Sequence, residues 1–99
     1  MEDDGARWDA RYEGAVAGEP VPPDGLRANG LVELVPTSGR ALDVACGLGR
    51  QAVWAARRGL DVEALDVSPV AISHVRSLAQ LHGVDDRVHV AVHDADDGL

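Results

Sequence analysis

The sequence predicts an α/β domain of order βαβαβ: a parallel sheet with strands arranged 3-2-1, the N-terminal half of a doubly wound three-layer sandwich, preceded by a short helical segment. Three apolar runs of strand length, residues 41–45, 62–66 and 88–93, are the first observation behind this. The second is that each gap between them holds one helix-length segment with short joins. The third is a glycine pair, Gly47 and Gly49, placed where the first run breaks off.

Residues 1–23 form a polar, acidic lead whose aromatic cluster is RWDARY, Arg7 to Tyr12, and PVPPDG, Pro20 to Gly25, separates it from a domain spanning 24–99. From Asp24 the spacing of Leu26, Leu31, Leu34 and Val35 predicts a short helix, weakened by Gly30 and stopped by Pro36. Ser38 and Gly39 then turn the chain into the first strand, Ala41 to Ala45. The next segment, GRQAVWAARRG, is rich in alanine, carries Arg57 and Arg58 where a helix C-terminus favours cations, and ends on Gly59 at a left-handed position. After the second strand, Val62 to Asp66, Ser68 is a natural N-cap and Pro69 a natural first helical residue. Ile72, Val75, Leu78 and Ala79 make an apolar stripe until Gly83 ends that helix. In the third strand Val88, Val90 and Val92 alternate with His89, Ala91 and His93. Short loops between these elements imply right-handed crossovers, the topology of a Rossmann-like domain.

Composition narrows the function classes. A chain of 99 residues makes one small domain, or part of a larger one, with little stability in reserve. Nine arginines, no lysine and 17 acids leave a net charge of -8, which repels phosphate backbones and anionic lipid surfaces. Neither nucleic-acid affinity nor a membrane partner is expected. No apolar run approaches the roughly 20 residues of a membrane span. The start MEDDGARWDA is acidic where a signal peptide is basic and then apolar. With Cys46 as the single cysteine, no internal disulfide forms, and the expected compartment is the cytoplasm.

The chemistry concentrates in ALDVACGLGR, residues 41–50. Glycines between a strand and a helix let a ligand approach the backbone closely, and the N–H groups of the new helix favour a negative group. Asp66 ends the second strand, expected beside Asp43 across the parallel pair, and a carboxylate there can accept both hydroxyls of a ribose. A tight turn with a strand-ending acid that caps the next helix is the plainer alternative. Gly47-Leu48-Gly49-Arg50-Gln51-Ala52 also satisfies the GxGxxG/A dinucleotide fingerprint, so an NAD-binding oxidoreductase fragment stays open. Against it stands Asp43, which would repel a pyrophosphate seated over the turn and would welcome a cationic ligand head.

On these residues the sequence resembles a class I S-adenosylmethionine-dependent methyltransferase. ALDVACGLGR is similar to that family's first motif, VEALDVSPVAI (Val62 to Ile72) to its strand-ending ribose acid and Ser-Pro helix start, and VAVHDADDGL (Val90 to Leu99) to the segment whose acid contacts adenine. WDARY is similar to the leading segment of the tellurite-resistance and thiopurine methyltransferase-like branches, and Ala45 departs from the glycine usual at its position. The resemblance implies S-adenosyl-L-methionine as cofactor. It also implies that Asp43 acts through water or the turn on the methionine amino group, that Ala45, Gly47 and Gly49 line the methionine end, and that Asp66 holds the ribose. Val67 would cover an adenine face, and Asp94 with the backbone of Ala95 would read the adenine amino edge.

Other chemistry-bearing residues receive structural assignments. Cys46 has no partner base in the sequence and reads as a small buried thiol. His89 and His93 lie about 13 Å apart along a strand, and His74 and His82 about 12 Å apart along a helix, so neither pair makes a metal site. Trp8 and Trp54 read as packing residues. The resemblance covers only the N-terminal half of the family's domain, without the strand that faces the acceptor. The expectation is therefore a cofactor-binding portion, truncated after its third strand, that is inactive alone and is either poorly stable or associated with another chain through the open edge of its first strand. Its methyl acceptor and catalytic residues are not legible, and a non-catalytic module completed by a partner chain is the remaining alternative.

Overall fold

The computed structural model describes residues 18–44 and 46–93. The elements are α1 (Asp24–Ala28), a 3-10 turn (Val32–Leu34), β1 (Arg40–Val44), α2 (Arg50–Arg58), β2 (Asp61–Asp66), α3 (Pro69–Leu81) and β3 (Val88–Val92). The three strands form one parallel sheet with β2 in the middle. This is the predicted 3-2-1 order.

Local chemistry explains where each helix starts and stops. Ser68 caps α3 by accepting from the Ala71 N–H at 3.1 Å, with Pro69 at the first helical position. Gly59 ends α2 at φ 118°, and the Thr37 carbonyl lies where any Cβ would be built, so only glycine fits. The helix expected from Asp24 does not continue to Val35. It closes after Ala28 and resumes as the 3-10 turn, because Gly30 at φ 65° reverses the backbone between the two. The 3-10 turn is held from outside itself: Arg58 donates to the carbonyls of Val35 at 2.8 Å and Glu33 at 3.3 Å, while its guanidinium lies 5.7 Å from the centre of the Trp54 ring.

Both long helices pack on one face of the sheet, α2 on β1 and β2, α3 on β2 and β3, and against each other. The core between them is small-sided. Val53, Val62 and Val75 are its largest fully buried apolar residues, surrounded by Ala52, Ala56, Ala64 and Ala79. Along β2 burial alternates, with Val62, Ala64 and Asp66 inward and Asp61 and Glu63 exposed on the far face. Among the described residues no helix is long and apolar enough to cross a membrane.

Candidate functional site at the end of the first two strands

The site lies where β1 and β2 end and the chain turns into α2 and α3. Register corrects one expectation. Asp43 pairs with Ala64, not with Asp66, so Asp66 stands one pleat further along the same face. The two carboxylates are therefore diagonal neighbours rather than side by side. They still feel each other: burial, and then the charge of Asp66, raise the pKa of Asp43 above the ordinary carboxylate value.

Asp66 is 4% exposed, and both of its oxygens are engaged. Oδ2 accepts the Gly47 N–H at 2.9 Å, and Oδ1 accepts the Ser68 N–H at 3.0 Å. One carboxylate thus ties the glycine turn to the start of α3. A carboxylate offers about four lone-pair positions, so two remain for a ligand's hydroxyls. Gly47 and Gly49 adopt φ 57° and 82°, both left-handed. A Cβ on Gly49 would lie 2.7 to 2.9 Å from the side-chain carbons of Val75, so close approach of α3, as well as conformation, demands glycine there. The Gly49 N–H is bonded to the Cys46 carbonyl at 3.0 Å. Two donors of the turn are consequently spent on holding its shape.

Cys46 is partly buried against the core and feels the charges of both carboxylates. Burial first, then the charges of Asp43 and Asp66, push its pKa up to about 12. It is a neutral thiol at physiological pH, which agrees with its reading as a packing residue. Val67 follows Asp66 and is half-buried at the strand end. Trp54 is half-buried beside an apolar cavity of about 200 Å³ that Asp43 also lines. Ala45, Asp94 and Ala95, as well as Trp8, lie outside the described residues. Among the described residues no group of acidic, histidine and cysteine side chains could hold a metal ion.

Sequence reasoning missed Arg50. Its side chain donates to the Glu19 carbonyl at 2.9 Å, and its own carbonyl accepts the Val21 N–H at 3.2 Å. No local pattern marks such a contact, since it joins residues about thirty apart.

The family model of the methyltransferase domain matches residues 41–99, which take in the turn and both carboxylates. The chain belongs to the methyltransferase domain family. Solved structures share its architecture. A structure concerned with the conversion of a disulfide bond into a thioacetal group during echinomycin biosynthesis is 32% identical, with a TM-score of 0.71, over 92% of this chain and 40% of its own. A SAM-dependent methyltransferase from Geobacter sulfurreducens, in complex with S-adenosyl-L-homocysteine, is 27% identical with a TM-score of 0.68, over 90% of this chain and 36% of its own. The geranyl diphosphate C-methyltransferase of Streptomyces coelicolor A3(2) is 27% identical with a TM-score of 0.58, over 72% and 28%. This methyltransferase-domain chain thus spans 40% or less of the length of each. No curated protein matches it.

Proposed function

We propose that the chain is the cofactor-binding portion of an S-adenosylmethionine-dependent methyltransferase acting on an acceptor bound elsewhere in the whole protein. The observation that carries this reading is the acidic turn: Asp43 and Asp66 share one sheet face around left-handed glycines. A dinucleotide's pyrophosphate seated over the turn would meet Asp43 in a half-buried, low-dielectric setting, where like charges repel strongly, whereas Asp66 at the end of β2 suits a ribose of either ligand. A ligand with a cationic amino-acid end and a ribose fits the same groups.

Asp66, fixed by two backbone donors, has its remaining lone pairs for the ribose hydroxyls. Asp43 faces the ammonium end, where a bound cation would hold it ionised against the burial that favours its neutral form. Gly47 and Gly49 keep side chains out of the ligand's path, and Val67 offers an apolar contact to the base. In this reading Ala45 lines the methionine end, and Asp94 with Ala95 reads the adenine edge. When bound, S-adenosylmethionine supplies a methyl group on a sulfonium, which is displaced in line by the acceptor. That step depends chiefly on alignment, and residues for the acceptor belong to the rest of such a protein. The single, unreactive cysteine and the acidic composition support a cytoplasmic setting.

Calorimetry with S-adenosylhomocysteine and with NAD tests the reading. Tighter binding of S-adenosylhomocysteine is expected; preference for NAD would overturn it.

A further inference from the structure

We propose that Arg50 is a positioning residue, which clasps residues 19–21 to the first turn of α2 and so makes the stretch that follows, Pro23 and the start of α1, one wall of the pocket holding Asp43. The inference rests on the reading of Asp43 as the residue that faces the ligand's ammonium.

Two bonds of opposite polarity form the clasp. The Arg50 side chain donates to the Glu19 carbonyl at 2.9 Å, and the Arg50 carbonyl accepts the Val21 N–H at 3.2 Å. A Cβ built on Gly18 would lie 3.3 to 3.5 Å from the guanidinium, so the chain runs directly against it. Extended backbone carrying Pro20, Pro22 and Pro23 has few conformations to lose, and two anchor points suffice to fix its course. That course leads to Pro23 and Leu26, which line the cavity of about 200 Å³ together with Asp43, Gln51 and Trp54. The end of the lead and the start of α1 therefore supply apolar surface in the cavity that Asp43 lines.

Arg50 acts on Asp43 through this wall rather than by its charge. The groups that shift Asp43 are its burial and Asp66, and no guanidinium is among them. An apolar wall keeps water off a carboxylate–ammonium pair, and the attraction between them grows as the local dielectric falls. The two effects of removing Arg50 have opposite signs. Loss of a cation would raise the pKa of Asp43, whereas release of the wall would lower it toward 3.8 by readmitting water.

The test uses the chain with Arg50→Ala, Arg50→Lys and Val21→Pro, the last removing the other donor of the clasp without touching the arginine. Carboxyl 13C titration of Asp43 without ligand is one readout, and calorimetry with S-adenosylhomocysteine is the other. In R50A and V21P the Asp43 midpoint falls, and affinity drops about five- to tenfold, the equivalent of one hydrogen bond. R50K, which keeps a donor for Glu19, retains most of both. A midpoint that rises or stays put in R50A and V21P overturns the wall. A midpoint that falls while S-adenosylhomocysteine binds unchanged overturns its part in recognition. A wild-type chain that prefers NAD, together with a falling midpoint in R50A and V21P, sinks the proposed cofactor and supports the wall.

Discussion

The two faces of the sheet differ sharply. On the helix side Val62 is 1% exposed and Ala64 is fully buried, with Asp66 closing the same row beside the glycine turn. On the other side Leu42 is 56% exposed, Glu63 is open, and His89 pairs with Asp61 at 3.1 Å in solvent. In a doubly wound sheet central strands are apolar on both faces, and β2 is apolar on only one for its first half. The covered face therefore supplies the stability and also carries the carboxylates of the proposed cofactor site. Among the described residues no strand pairs with the outer edge of β1, and that edge and the open face are where burial is lacking.

The largest expected effect strikes the covered side at the turn. Gly49→Ala combines a left-handed backbone, at about 1 to 2 kcal/mol, with overpacking on Val75, at about 1 to 3 kcal/mol. Thermal or urea melting reads the loss. Val75→Ala in the same chain should restore the packing part only; equal losses with and without it would show that helix contact is irrelevant to Gly49.

Asp66→Ala comes next, with ligand affinity falling by about 1.5 to 3 kcal/mol, the range for hydrogen bonds to a charged group. It also leaves the N–H groups of Gly47 and Ser68 without their acceptor, so stability falls with it. A folded variant with undiminished S-adenosylhomocysteine affinity would remove Asp66 from the site.

Asp43→Asn should separate stability from binding. The folded pKa is raised, so the folded chain holds the proton more tightly than the unfolded one. The contribution of Asp43 to stability is then greatest at low pH and declines as pH rises from 3.8 through the raised value, levelling above it. The variant lacks that decline and should melt higher than wild type at neutral pH, with the advantage vanishing in acid. Its ligand affinity should fall. Identical melting curves across pH would mean that burial of Asp43 has no energetic consequence.

The smallest effect is expected on the open side. Leu42→Glu should change stability by less than about 0.5 kcal/mol, as for other surface positions. Any self-association through the β1 edge should weaken, because like charges would face each other across the new pair. Sedimentation of both chains measures this. A large drop in melting temperature would mean that something already covers Leu42.

The sequence by itself determined the element order, the helix ends at Ser68, Pro69, Gly59 and Gly83, and the identity of the acidic glycine turn. Each depends on backbone energetics within a few residues: a side-chain oxygen near free N–H groups, a fixed proline φ, a glycine where φ turns positive. The tertiary structure decided the rest. It set Asp43 opposite Ala64 rather than Asp66, because strand register is chosen by packing across the sheet and not by spacing along the chain. It placed Val75 against Gly49, brought the Gly47 N–H onto Oδ2 of Asp66, and brought residues 18–21 under Arg50. These contacts join residues about 20 to 30 positions apart, and no local preference encodes such a distance. Only the burial of the intervening helices and strands brings those groups together.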